Sequence, residues 1–331
     1  MTTHATREGA RPVTRPTIGG TLRNRIFTPD PREVTFERRG FRAPGGVQQA
    51  NLEKVGQIFL EGFGYGMTGR NIPDMEASLE TVEQPFRGFA YEGCSMALAV
   101  RDAIRPARQH WIRDFLAGPA APHTYMAHIG VGWAMARLPA LRWRAIMPED
   151  EVLRWLALDG YGFHQAYFHT SQYVTHQRQD RIPLWQPASY ASRAIDQGIG
   201  RALWFVNGSD VRAVASMIDG FAASRRGDLW SGAALASVYA GGVDAGDVKL
   251  MAELAGEYRP DAAQGAAFAA KARLLAGLVT PHTEMAVRVY CAMSVEEAAA
   301  VTEEAIEVLL GPAGPVPGYE LWRQRIRKAF E

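Results

Sequence analysis

The sequence predicts an all-α fold assembled from internal repeats, and three observations carry that expectation. An acid-glycine-aromatic-glycine segment occurs as Phe59-Leu60-Glu61-Gly62-Phe63-Gly64-Tyr65 and again, 98 residues later, as Ala157-Leu158-Asp159-Gly160-Tyr161-Gly162-Phe163. Further pairs follow in the same order: Tyr91-Glu92-Gly93 is echoed around Gly198 to Trp204, and Gly130 to Ala136 around Ser231 to Val238. Self-similarity at a long period marks stacked supersecondary units. Apolar residues also recur at three- and four-residue spacing, while no alternating β-branched stretch of useful length competes.

The elements follow in chain order. Residues 1–35 are rich in Arg, Pro, Thr and Gly without a sustained hydrophobic period, which predicts a flexible N-terminal arm. Residues 36–148 form the first repeat half, in which Leu52, Val55, Ile58 and Phe59 share one helical face. Residues 149–245 form the second half. Glu149 and Asp150 open it ahead of Val152, Leu153, Leu156 and Leu158, acids that suit the positive end of a helix dipole. Residues 246–331 are a C-terminal helical segment, with alanine-rich helices over 262–278 and 295–310. Proline-containing joints at 104–107, 118–122, 138–148 and 181–187 divide the helices. A third, weaker copy is marked by Pro122-His123-Thr124-Tyr125-Met126-Ala127 against Pro281-His282-Thr283-Glu284-Met285-Ala286, and the same residues also suit a helix start.

Composition narrows the function. With 331 residues, 47% hydrophobic and 21% charged, the chain can bury a sizeable core. A formal net charge of +1 offers no broad positive field, which disfavours nucleic acid as a partner. No run of about 18 apolar residues is present, so no membrane span is expected. Cys94 and Cys291 lack the spacing of a disulfide framework or a zinc site. Together these features predict a soluble cytoplasmic protein. No Walker loop, dinucleotide fingerprint or nucleophile elbow occurs.

Glycine inside a helix costs roughly 0.5–1 kcal/mol against alanine. The clusters Gly62/Gly64/Gly66, Gly88/Gly93, Gly130/Gly132, Gly160/Gly162, Gly198/Gly200 and Gly232 therefore need an offsetting gain, from close helix packing or from backbone clearance for a ligand. Glu61 and Asp159 occupy the same place in the two segments, and carboxylates in apolar surroundings are acid-base candidates or helix clamps. Glu92 and His164 join them as candidate catalytic groups. His164 and His169 point about 140° apart on one helix, so that pair cannot serve one metal ion, and any metal or cofactor stays unknown. Arg87, Tyr91, Tyr161, Arg201, Trp204 and Trp230 are candidate substrate-binding residues, since arginine pairs with carboxylates or stacks on aromatic faces. Pairs among Glu61, Arg87, Glu92, Asp159, Arg201 and Asp228 would either hold helices in register or form the polar end of an apolar cavity.

The strings Phe36-Glu37-Arg38-Arg39-Gly40-Phe41, Phe59-Leu60-Glu61-Gly62, Phe86-Arg87-Gly88-Phe89-Ala90-Tyr91-Glu92-Gly93, Asp159-Gly160-Tyr161-Gly162-Phe163-His164, Gln197-Gly198-Ile199-Gly200-Arg201 and Asp228-Leu229-Trp230-Ser231-Gly232 resemble the UnbL-type family found beside enediyne polyketide synthases. The resemblance spans about residues 34–245. It departs at Gly64-Tyr65-Gly66-Met67, where an Asn- or His-containing, Ala-rich continuation is expected. It implies a role in bacterial secondary metabolism, in maturing a linear conjugated polyene into an enediyne core, and it assigns no catalytic residue or cofactor. Two expectations follow. One is an enzyme whose helical shell holds a hydrophobic polyene-like substrate, by oxidative remodelling or by acid-base cyclisation or isomerisation. The other is a non-catalytic helical-repeat carrier or scaffold that binds the intermediate or other polyketide biosynthetic enzymes.

Overall fold

The computed structural model describes residues 29–104, 110–182, 184–307 and 316–331. Its elements are helices throughout, with no strand among the described residues, and they form a single globular unit. The framework is a series of long helices that pack on one another in chain order: α1 (Gly46–Thr68), α3 (Arg87–Ile104), α5 (Thr124–Arg137), α6 (Leu156–Phe168), α7 (Ala188–Val206), α9 (Ala223–Tyr239), α11 (Arg259–Leu275) and α13 (Val295–Glu307). Shorter helices lie in the connections: α2 (Ile72–Leu79), α4 (Trp111–Ala117), α8 (Val211–Asp219), α10 (Ala245–Leu254) and α12 (Pro281–Cys291). The last helix, α14 (Gly318–Lys328), docks on α11 and α13. Packing runs without a break from α5 to α6 and from α9 to α11.

The crossings from α1 to α11 are made by glycine. A methyl group added at Gly93 would strike the carbonyl oxygen of Phe59, and one at Gly62 that of Ala90, so α1 and α3 meet backbone to backbone. The same reciprocal arrangement joins Gly132 and Gly160 across α5 and α6, Gly162 and Gly198 across α6 and α7, and Gly200 and Gly232 across α7 and α9. Gly130 meets the carbonyl of Glu92, and Gly265 that of Ser231. Within a helix the division of labour is regular: Gly130, Gly160 and Gly198 face the preceding helix, and Gly132, Gly162 and Gly200 face the following one. Preceding-facing glycines recur at 93, 130, 160, 198, 232 and 265, intervals of 30 to 38 residues. The unit is therefore one framework helix with its connection, and the 98-residue echo spans three units.

This register corrects two sequence expectations. Gly62 faces the following helix, as Gly162 does, so Phe59 and not Glu61 is the counterpart of Asp159. The next copy after α9 is α11 with Gly265, not the proline-histidine segment at 281. That segment starts α12, where Pro281 lies in the first turn and the Thr280 side chain accepts from the Thr283 N–H, so it is a helix-initiation device. The second-half helix begins at Leu156 rather than at the acids. Asp150 instead accepts the N–H groups of Val152 and Leu153 and leads into a 3₁₀ turn at Leu153–Trp155.

Contacts distant in sequence join the two ends of the series. Asn51 donates to the Ala240 carbonyl (2.9 Å), Gln84 to that of Gly277 (3.0 Å), and Arg42 N–H to that of Val206 (3.0 Å). The guanidinium of buried Arg273 donates to the carbonyls of Pro85, Leu278 and Tyr239, tying three chain segments at one point. Of the expected N-terminal arm, residues 1–28 lie outside the described residues, while 29–35 are docked: Val34 is buried and Pro31–Val34 forms a 3₁₀ turn capped by Asp30. Arg323 of α14 is fully buried, donating to Asp228 (2.7 Å) and Gln264 (3.1 Å).

Replacing Gly198 by Ala would press a methyl into the Asp159 carbonyl. Because the obstacle is backbone, destabilisation of about 3 kcal/mol or more is expected from overpacking, read as a shift in the urea midpoint. A loss under about 1 kcal/mol would show that the crossing yields more freely than its geometry implies.

Candidate active site

Residues three positions after the preceding-facing glycines lie one helical turn on and share a direction. They are Met96, Trp133, Phe163, Arg201, Leu235 and Phe268, and the first five line one apolar cavity bounded by α1, α3, α5, α6, α7 and α9. Aromatic rings make most of the wall. Phe59 and Trp133 lie 4.3 Å apart, Trp133 and Phe163 5.2 Å, and Phe163 and Phe205 5.4 Å between centroids. Half-buried Leu60 and Phe168 also line it. About 50 Å³ is open to the centre of a water molecule, room for a few waters. A longer guest requires the lining rings to move.

A second register carries polarity. The residue just before each preceding-facing glycine is Glu92, Ile129, Asp159, Gln197, Ser231 or Gln264, five of the six polar and all six buried. Most find partners. Asp159 is hydrogen-bonded to Arg201, Gln197 accepts from the Tyr319 hydroxyl (2.8 Å), and Ser231 donates to Gln264 (2.8 Å). Glu92 has no ion pair within 4.0 Å among the described residues. Burial pushes its carboxyl up to about 7, opposed by the charge of Arg201, reinforced by that of Asp159 and weakly opposed by the indole of Trp133. That indole N–H lacks a partner at full hydrogen-bond distance. The Tyr239 hydroxyl, packed against Gly88, also lacks one.

Arg201 thus stands between two carboxylates. Burial works against its charge, but Asp159 and Glu92 together outweigh that and raise its pKa. Asp159 touches it, although burial pushes that carboxyl's own pKa up against the pull of Arg201, and Glu92 is the acid that lines the cavity. Arg201 also lies 5.1 Å from the Phe163 ring centroid. His164 is in the wall too, edge-on to Trp133 at 5.5 Å. Burial, offset in part by Gln165, lowers its pKa to about 3, so the ring is neutral near pH 7 and offers a hydrogen bond rather than a charge.

Of the residues singled out from sequence, Glu92, His164 and Arg201 line the cavity, and Asp159 stands behind Arg201. Glu61 is exposed, accepting a hydrogen bond from Tyr65, because it sits two residues out of register with Asp159's column. Arg87 and Tyr91 point elsewhere, both bound to Glu80, with Tyr91 stacked on His123 at 3.7 Å. Tyr161 donates to Asp180 (2.7 Å), and Trp204 to the Gly241 carbonyl (3.0 Å). Trp230 is core, 1% exposed. Trp133, Tyr239 and Arg137 were not singled out. Trp133 was signalled by its place three residues after Gly130. Among the described residues no group of three or more His, Cys, Asp and Glu side chains could hold a metal ion, and no helix is long and apolar enough to cross a membrane.

Fold and site together define a helical-repeat protein enclosing an apolar, aromatic-walled cavity with one titratable acid. More particularly, the chain belongs to the family described as protein of unknown function (DUF1702), whose sequence profile matches residues 18–330. No curated protein and no solved structure matches it.

Two measurements check the electrostatics. Because the folded pKa of Glu92, about 7, lies above the ordinary 4.5, stability is fullest below the unfolded value and falls as pH rises toward 7, by roughly 3 kcal/mol. Urea midpoints of Glu92→Gln should lack this component, so its advantage over the parent grows from pH 4.5 to pH 8; parallel curves would refute the raised pKa. Arg201→Met should cost about 3–5 kcal/mol by stranding Asp159, and adding Asp159→Leu should recover much of it.

Proposed function

We propose that this protein acts on a hydrophobic, polyene-like intermediate in enediyne-type polyketide biosynthesis, with Glu92 as the group that moves the proton. The observation that carries this reading is a carboxylic acid poised near neutrality in the wall of an aromatic-lined cavity. A group with a pKa near the working pH is protonated often enough to give a proton and deprotonated often enough to take one. The UnbL-type resemblance supports the substrate class, since its strings contain Glu92, Asp159, Phe163, His164 and Arg201 as well as the crossing glycines that align them.

The chemistry these residues allow is balanced without an oxidant. Glu92 in its acid form gives a proton to one carbon of a conjugated chain, and the carboxylate left behind takes a proton from another carbon. Double bonds shift, or a ring closes, with no change of oxidation level. Arg201 stabilises the intervening carboxylate, and the aromatic wall faces the cation-like π-system. The setting is a cytoplasm shared with other polyketide enzymes. A non-catalytic carrier or scaffold is the second reading, favoured by the helical-repeat framework.

Incubation with the linear polyene released by an enediyne-type polyketide synthase separates the two. The parent protein should shift or erase the polyene absorption bands over time, more slowly above about pH 7 as Glu92 loses its proton. Glu92→Gln should be slower by about 10²–10⁴-fold, and Glu61→Gln should match the parent. Tight binding with unchanging bands would identify a carrier and sink the catalytic reading.

A further inference from the structure

We propose that the molecule this cavity takes is an apolar chain ending in a carboxylate, and that Arg137 receives that carboxylate. The inference rests on the reading of the cavity as a site for a hydrophobic molecule and adds the chemical class of its head. Arg137 is the last residue of α5, four positions after Trp133, so the two lie on one helical face, and both line the cavity. Arg137 is exposed, which sets it at the solvent side of a lining whose other members are mostly buried.

What distinguishes Arg137 is the absence of a partner among the described residues. The other arginine of the lining, Arg201, is held by Asp159. Nearby Arg39, 5.1 Å from the Phe168 ring centroid, is held by Glu33 at 2.6 Å. Arg137 makes no hydrogen bond or ion pair among the described residues, and partial burial against the wall lowers its pKa with no opposing carboxylate. Its charge instead helps keep His164 neutral. A guanidinium with its fork free, beside apolar surface, matches a carboxylate in bidentate geometry while the attached chain covers the rings. A neutral guest would leave that charge desolvated and unpaired.

Binding of sorbic and parinaric acids, a short and a long conjugated polyenoic acid, and of their methyl esters to the full chain tests this at about pH 7.5, where the acids are ionised. The acids should bind about tenfold or more tightly than the esters. Arg137→Gln should bring acid affinity down to that of the ester and leave the ester unchanged, and Arg137→Lys should retain part of the preference. Ala240→Phe, which adds a ring at a half-buried lining position, should weaken both. Esters binding as well as acids would overturn the carboxylate assignment while leaving the hydrophobic site standing. Acid binding that is indifferent to Arg137→Gln, or to Ala240→Phe, would overturn it too. Failure of all four compounds to bind would remove the hydrophobic site and this inference with it.

Discussion

Direct contact between backbones at the helix crossings is the constraint on which the rest depends. When the carbonyl oxygen of one helix lies where the Cβ of its neighbour would be, only glycine fits, and every crossing from α1 to α11 places at least one glycine there. Two positions apart on a helix are about 200° apart around its axis. A glycine-x-glycine pair therefore contacts a helix on either side, and the series is forced to continue in chain order. Side chains at other positions are then held at fixed angles to the crossing, which is how aromatic residues from six helices reach one cavity.

Polarity is arranged by the same geometry. The column preceding the crossing glycines buries a row of polar groups, answered in part by partners from elsewhere in the chain. In the later units the answer comes from α14, whose Tyr319 and Arg323 reach Gln197 and Gln264. Arg323 itself is neutralised by Asp228 and Glu320, which Arg193 also bridges. In the earlier units no such helix intervenes, and Glu92 is left with a distant cation and a raised pKa. The fold thus fills one stretch of its polar column with its own C-terminal helix and leaves another stretch facing a cavity.

Much of this was legible in the sequence. All-α character followed from spacing and alanine content, and close helix contact followed from glycines beside aromatics. Register was not legible, because Gly62-x-Gly64 and Gly160-x-Gly162 look alike while the first member of one pair and the second of the other face the following helix. A slip of two residues turns a side chain to the opposite side of a helix. That slip made Glu61 look equivalent to Asp159, although it lies on the outer surface. Glu92 and Asp159 were recoverable because both directly precede a crossing glycine. Partners such as Asp180 for Tyr161 or Glu80 for Arg87 depend on where the connections return, and no local pattern announces that.

The position three residues beyond each crossing glycine has a consequence for how such proteins diversify. The side chains of Met96, Trp133, Phe163, Arg201 and Leu235 form the wall, while the crossings rest on the glycines and on the backbone that meets them. Scaffold and lining are thus encoded in separate letters of the same repeat. One substitution per unit can reshape, recharge or empty the interior while the architecture stays as it is, so that chains sharing every crossing glycine are free to differ completely in what they hold.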